Sequence, residues 1–247
     1  MDAIKKILMT KQGRKFYAKD TNQDLHTQYG FVKKEDLKKA KDGNLLKSNT
    51  NTEFYIFNPY FIDLYRKIKR DAQIIPLKDI GLIIAETGIT KESRILDSGS
   101  GSGALACFMA SIAKEVITYE IREDFIEIVK SNIMFLGLKN ITVKNKNAYN
   151  EIDDKNIDVI ILDLPEPWNA LESCSKALKV GGFLVSYSPS IPQVADFVNL
   201  LRKNENFIYL KTSEIIEREW EVEERRVRPK SKGIGHSGFL SFARKVR

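Results

Sequence analysis

Hydrophobic and polar positions follow different patterns in the first and second parts of the chain. Residues 1–70 contain short strand-like runs, such as KKILMT and EFYIFNP, separated by turn-forming residues. From residue 71, near-continuous apolar runs of strand length alternate with helix-like segments. This alternation is typical of a parallel sheet covered by helices on both faces. We therefore predict a small β-rich N-terminal domain over 1–70 and an α/β domain over 71–247.

The α/β domain is expected to begin with parallel strands and to end differently. Its predicted strands are Arg94–Gly99, Val116–Glu120, Ile141–Lys144, Asp158–Leu164 and Gly182–Ser188. Its predicted helices start near Ser102, Glu123, Asn169 and Pro192. After Phe207 the chain is strand-like without an intervening helix, so a mostly parallel sheet should close with an antiparallel edge pair that includes the final strand.

The charge of the chain favours a polyanionic partner. The 247 residues carry a formal net charge of +7, and the pI is near 9.2. Nucleic acid is the first partner that such an excess of lysine and arginine suggests. Three basic clusters are candidate phosphate contacts: Lys33, Lys34, Lys38, Lys39 and Lys41; Arg66, Lys67, Lys69 and Arg70; and Arg225, Arg226, Arg228, Lys230 and Lys232.

Two cysteines and the absence of long apolar runs suggest the compartment. Cys107 and Cys174 lack the spacing of a metal or redox site and are interpreted as buried thiols in a reducing cytosol. No metal is therefore expected. No stretch approaches the about 18 apolar residues that a membrane span requires. We predict a cytoplasmic protein without a membrane partner.

The segment RILDSGSGSGALA, residues 94–106, is the strongest chemical signal. Read as Gly99-x-Gly101-x-x-Ala104, with Glu120 further along, it fits a dinucleotide fingerprint. Read as Asp97-x-Gly99-x-Gly101-x-Gly103, it fits the loop of S-adenosylmethionine (SAM) methyltransferases. Asp97 favours the second reading, because its carboxylate can face the ammonium of methionine but would repel a pyrophosphate.

Several segments in order closely resemble the tRNA (adenine(58)-N(1))-methyltransferases, which are class I SAM enzymes of archaeal and bacterial homo-oligomeric type. The matching segments are DLHTQYGFV, AQIIPLKD, ILDSGSGSGAL, TYEIREDF, ILDLPEPW, YSPSIPQV and GHSGFLSFARK. The resemblance covers most of residues 10–247. It implies a Rossmann-like class I methyltransferase sheet and a homotetramer. It also implies synthesis of 1-methyladenosine in the T-loop of tRNA, either at adenine 58 alone or, as archaeal members can do, at the adjacent adenine 57 as well.

The resemblance also implies a cofactor site. Its residues would be Gln73, Asp97, Gly99, Gly101, Ser102, Gly103, Ala104, Leu105, Glu120, Phe125, Asn147 and Asp163. Asp97 would face the amino-acid end of SAM, and the two carboxylate oxygens of Glu120 would accept the ribose hydroxyls. Phe125 would line the pocket, unless it belongs to a helix core. Asn147 stands where relatives usually carry an acid, so a weaker contact with the adenine amine is expected.

Asp163 is the predicted catalytic residue. A lone pair on adenine nitrogen 1 needs no prior deprotonation, so the enzyme needs positioning and a negative group rather than a strong base. A carboxylate that accepts from the exocyclic amine would supply both. The alternative is a helix N-cap. Tyr187 and Gln193 flank the exit of the fifth strand, where a target base should enter.

Three other functions are weighed against this hypothesis. The first is a SAM methyltransferase that acts on another substrate. The second is a non-catalytic RNA-binding subunit, which the presence of Asp97, Glu120 and Asp163 argues against. The third is a nicotinamide dehydrogenase, which the glycine loop does not favour.

Overall fold

The computed structural model describes residues 3–233 and 235–247, and the chain forms two compact units that divide between Ile68 and Lys69. The predicted domain boundary lies two residues further along, between residues 70 and 71. Each unit has its own hydrophobic core.

The N-terminal unit is built on a four-stranded antiparallel sheet. Its elements are β1 (Lys6–Met9), β2 (Lys15–Ala18), β3 (Leu25–Thr27), β4 (Gly30–Val32), α1 (Lys34–Lys39), β5 (Leu45–Lys47), β6 (Glu53–Phe57) and α2 (Phe61–Tyr65). The sheet order is β2-β1-β6-β5, and β3 pairs with β4 as a separate hairpin. Leu37 of α1 packs with Leu8, Val32 and Phe54 in the core. The predicted β-rich character is confirmed, but the two short helices were not predicted.

The second unit contains a seven-stranded sheet and covering helices. Its elements are α3 (Leu77–Thr87), β7 (Arg94–Ser98), α4 (Ala104–Ala110), β8 (Glu115–Glu120), α5 (Glu123–Leu136), β9 (Ile141–Asn145), β10 (Ile157–Leu162), a 3-10 helix (Pro167–Ala170), α6 (Leu171–Ala177), β11 (Leu178–Ser188), α7 (Ile191–Lys203), β12 (Phe207–Ser213), β13 (Trp220–Glu223), β14 (Arg226–Pro229) and β15 (Phe239–Lys245). Within residues 3–233 and 235–247, no helix has the length and apolar character needed to cross a bilayer.

The sheet order is β12-β15-β11-β10-β7-β8-β9, and all pairs are parallel except those of β15. The final strand is antiparallel to both neighbours, as predicted. It inserts between β11 and β12, so β12 becomes the edge strand. Strands β13 and β14, which the sequence pattern did not separate, form a hairpin of their own.

Alternating strand residues fill two cores, one on each face of the sheet. Leu96 and Ile160 pack with α6 and α7, whereas Ile95 and Ile161 pack with α3 and α4. Since successive side chains of a strand point to opposite faces, a near-continuous apolar run is the pattern that a sheet buried on both faces requires.

The connections create a crevice beside β7. From β7 the chain builds β8 and β9 on one side of the sheet and then returns to place β10 on the other side. Ligands of open α/β sheets bind at the carboxyl ends of the strands where the order reverses in this way. The ends of β7, β8 and β10 therefore mark the expected site.

Candidate active site

The glycine loop after β7 lies close to the segment after β10. Gly99 has a φ of +91°, and a Cβ there would overlap the carbonyl oxygen of Asp163 and lie 2.9 Å from its carbonyl carbon. The backbone N–H groups of Gly99 and Ser100 donate to the carbonyl oxygen of Tyr119 at 3.1 and 3.2 Å. Glycine is required at position 99 both by its backbone conformation and by this close approach.

Two cavities open at this edge of the sheet. The larger has a volume of about 510 Å³, within the range of small-molecule sites. It is lined by Ala72, Gln73, Ser98, Gly99, Gly101, Tyr119, Glu120, Ile121, Arg122, Phe125, Lys146, Asn147, Ala148, Tyr149, Asp163, Leu164, Pro165 and Glu166. The smaller, of about 20 Å³, is lined by Gln73, Ile74, Ile75, Asp97, Gly99, Ser100, Gly101, Ala104, Leu105 and Asp163.

Asp97 is a buried carboxylate with one free oxygen. Its Oδ2 accepts from the Thr118 hydroxyl at 2.7 Å, while Oδ1 has no hydrogen-bond partner among the described residues. Burial raises the pKa of Asp97 to about 7, and the nearby Asp163 and Glu120 carboxylates add to this effect. A buried acceptor without a partner carries a desolvation cost that a cationic ligand would remove.

Glu120 ends β8 with both carboxylate oxygens engaged by backbone donors. Oε2 accepts from the N–H of Gly101 at 2.9 Å, and Oε1 accepts from Ile121 at 2.8 Å and Arg122 at 3.0 Å. Neither oxygen of Glu120 is therefore without a hydrogen bond. A carboxylate oxygen has two lone-pair sites, so Glu120 keeps acceptor capacity toward the cavity.

Phe125 and Asn147 both line the larger cavity. Phe125 is half-buried rather than part of the core, and the Arg122 guanidinium lies 4.2 Å from its ring centroid. The Oδ1 of Asn147 accepts from the N–H of Tyr149 at 2.9 Å. That bond orients the Asn147 side chain and uses part of its acceptor capacity.

Asp163 is the first residue after β10 and lines both cavities. Its N–H donates to the Ser98 carbonyl at 2.9 Å, but its side chain makes no hydrogen bond within the part of the chain that the structure describes. Desolvation raises the pKa of Asp163 to about 7. The N-caps of the following helices are Glu166 and Ala170, so Asp163 is not a helix cap.

The structure does not bring every predicted cofactor residue to a cavity wall. Gln73, Gly99 and Gly101 line both cavities, and Ala104 and Leu105 line the smaller one. Ser102 and Gly103 line neither, and a Cβ at Gly103 would meet Val129 at 2.8 Å. These two residues shape the turn into α4 rather than the surface of the site.

Two residues that support the site were missed by the sequence reasoning. Asn132 is fully buried in α5, and its Nδ2 donates to the carbonyls of Ser102 at 2.8 Å and Lys69 at 3.0 Å. The Tyr149 hydroxyl accepts from the N–H of Glu166 at 3.1 Å. A polar residue on the apolar face of α5 was the one available signal for Asn132, and Tyr149 had none.

The raised carboxyl pKa values give a stability prediction. An unfolded Asp97 ionises near pH 3.8, but the folded one holds its proton to about pH 7. Between these values the folded state binds more protons, so the unfolding free energy of the cofactor-free protein should fall as pH rises, by up to about 1.4 kcal/mol per pH unit for this group. Asp97→Asn should remove that part of the slope in urea unfolding at pH 4.5 to 7.5. The exposed Asp196→Asn is the control, and an unchanged slope in Asp97→Asn would contradict the assignment.

Two of the three basic clusters differ in their ion-pair partners. On the β13–β14 hairpin, Arg226, Arg228 and Lys230 form ion pairs with Glu223, Glu221 and Glu219. The cluster around α1, Lys33, Lys34, Lys38, Lys39 and Lys41, is exposed and has no ion pair in the described chain. Residues 1–68 contain 14 basic and 8 acidic residues, and so hold +6 of the net charge of +7. The available positive charge is concentrated in the N-terminal unit.

The chain is similar to tRNA methyltransferases. Residues 64–237 match the model of a family described as tRNA methyltransferase complex GCD14 subunit. The chain is 35% identical to the tRNA (adenine(57)-N(1)/adenine(58)-N(1))-methyltransferase TrmI of Methanocaldococcus jannaschii, over 97% of this chain and 94% of the relative.

Two solved structures share the fold over the whole chain. The tRNA (m1A58) methyltransferase TrmI from Aquifex aeolicus has a TM-score of 0.83 at 25% identity and is covered to 98%. A SAM-dependent O-methyltransferase from Thermotoga maritima has a TM-score of 0.89 at 28% identity and is covered to 94%. The expected class I methyltransferase fold is thereby confirmed.

Proposed function

The chain belongs to the tRNA (adenine-N1)-methyltransferase family, and from this premise we propose that it methylates ring nitrogen 1 of adenine 58 in the T-loop of tRNA, with SAM as the methyl donor. The resemblance seen in the sequence motifs is confirmed. The relative from M. jannaschii is named for adenine 57 as well as adenine 58. Adenine 57 is therefore part of the proposal as a second target.

The residues present fit SAM. The unpartnered Oδ1 of Asp97 suits the ammonium of the methionine part, and Glu120 suits the ribose hydroxyls. Phe125 supplies an apolar wall, and the amide of Asn147 remains an acceptor for the adenine amine. When bound, SAM supplies an electrophilic methyl group for in-line displacement.

Asp163 carries the catalytic proposal, because it lines both cavities as a desolvated carboxylate whose side chain has no hydrogen-bond partner among residues 3–233 and 235–247. Its carboxylate accepts a hydrogen bond from the exocyclic amine of the flipped-out adenine. This bond orients ring nitrogen 1 and offsets the positive charge that develops on the base. A negative group prepositioned in a desolvated site acts more strongly than it would in water.

Labelled SAM and an unmodified tRNA transcript test the proposal directly. The RNA is digested after reaction and its nucleosides are identified by mass. Labelled 1-methyladenosine, with its position read by sequencing the product, supports the function and decides between adenines 57 and 58. Binding of SAM and tRNA without any label in the RNA would instead favour a different methyl acceptor.

We infer that the exposed lysines around α1 contact tRNA phosphates. These side chains have no acidic partners to displace within the described part of the chain, whereas Arg226 and Arg228 of the hairpin are already ion-paired. Lys38→Gln/Lys39→Gln should raise KM for tRNA about tenfold near 0.1 M salt and lower the slope of its salt dependence by about 1.5. The matched double variant Arg226→Gln/Arg228→Gln removes the same charge and should raise KM less than about threefold. An equal or larger effect of the hairpin variant would overturn the assignment.

The hairpin supports the proposal of a homo-oligomer, the tetramer that the family resemblance implies. Trp220, Val222 and Val227 share one face of β13 and β14 and are 53%, 71% and 56% exposed. A contiguous apolar face of this kind is typical of a protein interface, and we propose that a second copy of the chain covers it. Light scattering should give a multiple of 28.3 kDa, and a monomeric mass would contradict this.

We further propose a cytoplasmic location, since the proposed substrate is tRNA.

A further inference from the structure

A helix-capping pattern after β11 is not used for capping. Ser190 is the N-cap of α7 and Gln193 is its third residue, and Ser-x-x-Gln predicts a capping box in which both side chains bond to the local backbone. No such cap bond forms at Ser190. Instead, the Ser190 hydroxyl donates to Oε1 of Gln193 at 2.8 Å, and Nε2 of Gln193 donates to the carbonyl oxygen of Pro165 at 3.0 Å.

The partner of Gln193 lies in the loop that carries Asp163. That loop is also held by the bond from the Asp163 N–H to Ser98 and by the bond from the Glu166 N–H to Tyr149. Because the Asp163 side chain has no hydrogen bond of its own in the described chain, the position of its carboxylate depends on how firmly this backbone is fixed. The hydrogen bond from Gln193 attaches this loop to helix α7.

The chemistry of the three groups determines the orientation of the amide. The Pro165 carbonyl can only accept, so it requires the –NH₂ end of Gln193, and the carbonyl end is left to accept from Ser190. A glutamate of the same size would place an oxygen against the Pro165 carbonyl oxygen. The arrangement therefore requires an amide rather than merely a side chain of this length.

We propose that Gln193 is a positioning residue, which holds the 163–166 loop so that Asp163 meets the target base. The local stabilisation that a capping box offers is given up for a contact 28 residues away, beside the catalytic carboxylate. Small displacements of a positioned group lower the rate of the chemical step far more than they lower binding. This inference rests on the proposed function.

Two variants of similar size separate positioning from general stability. Gln193→Met removes the hydrogen bonds, and Gln193→Glu also introduces repulsion toward Pro165. We expect kcat for tRNA methylation to fall about fivefold in Gln193→Met and about thirtyfold in Gln193→Glu, with KM for tRNA and Kd for SAM within about twofold of wild type. Asn199→Asp makes the same amide-to-acid change on α7 at an exposed position, where the side chain has no hydrogen-bond partner among the described residues, and it should leave kcat unchanged.

The outcomes distinguish the inference from the function. If wild-type protein methylates tRNA and both Gln193 variants retain its kcat, Gln193 has no positioning role. A loss of activity that matches a fall of more than about 5 °C in Tm, or a rise in KM with kcat unchanged, would also overturn the inference. If the wild type itself leaves tRNA unmethylated, the proposed function fails, whatever the Gln193 variants do. SAM binding by the same wild-type protein would show that its cofactor site is intact, so this outcome is distinct from a failure of the inference about Gln193.

Discussion

Asp163→Ala is expected to lower kcat for tRNA methylation by about 10²–10³-fold, the loss associated with removing one preorganised electrostatic contact in a desolvated site. Asp163→Asn keeps an acceptor oxygen at the same place but loses the charge, so its rate should lie between those of wild type and Asp163→Ala. The reason is that positive charge develops on adenine during the reaction. A full negative charge stabilises that state more than an amide dipole does.

Rates measured in single turnover with saturating SAM and tRNA would test this expectation without interference from product release. Asp196→Asn, at an exposed position of α7, is the matched control for loss of one carboxylate. SAM binding, followed as a thermal shift, should persist in Asp163→Asn. Asp163→Ala with more than about one-fifth of wild-type activity would remove Asp163 from the catalytic role.

The pH dependence of the same reaction follows from the raised pKa of Asp163, about 7. Only the ionised carboxylate carries the negative charge that offsets the positive charge on the base, and at lower pH that charge is lost by protonation. The methylation rate at limiting tRNA should therefore rise as pH increases toward 7, in the direction opposite to the stability of the cofactor-free protein. Activity and stability are expected to change with pH in opposite directions wherever a functional site holds a carboxylate that is desolvated but must be ionised.

Gly99→Ala should unfold or severely destabilise the second unit, by more than about 4 kcal/mol, and abolish SAM binding. An alanine there would need a φ of +91° and would drive its Cβ into the Asp163 carbonyl. Since that carbonyl belongs to backbone rather than to a flexible side chain, neither partner can move cheaply. The glycine loop and the 163–166 loop would both be displaced.

Gly137→Ala is the matched control for this second prediction. Gly137 also has a positive φ, +67°, but a Cβ there meets nothing within 4 Å. The cost should be limited to the left-handed backbone strain of about 1–2 kcal/mol, with SAM binding intact. Urea unfolding and SAM-induced thermal shifts measure both quantities. Similar losses for the two variants would mean that the contact between Gly99 and Asp163 is not important.

The sequence predicted well those elements that depend on a few consecutive residues. Strands β7, β8, β10 and β11 were recognised because a strand buried on both faces needs an unbroken apolar run, and their observed bounds differ from the predicted ones mainly at the ends. The glycine loop was recognised because tight backbone turns need glycine within a few residues. The short helix α1 was missed, since six residues with a single buried leucine carry little periodic signal.

The site could be predicted in composition but not in arrangement. Asp97, Glu120 and Asp163 follow strands, and parallel strands bring their carboxyl ends to one edge. That Glu120 already accepts three backbone N–H groups, and that Ser102 and Gly103 line no cavity, depends on the exact course of the loop. Hydrogen bonds between residues far apart in the chain leave no local pattern in the sequence.

By itself, the sequence determined the fold class, the cofactor loop, the family and the identity of the acidic residues, because periodicity and backbone demands act over short distances. Only the tertiary structure decided which lysines lack acidic partners, which oxygen of Asp97 is free, and that Gln193 bonds to Pro165 rather than capping its own helix. Those outcomes depend on which groups meet across the fold. Charge and hydrogen-bond energies are set by these long-range neighbours and by burial, which residue order alone does not specify.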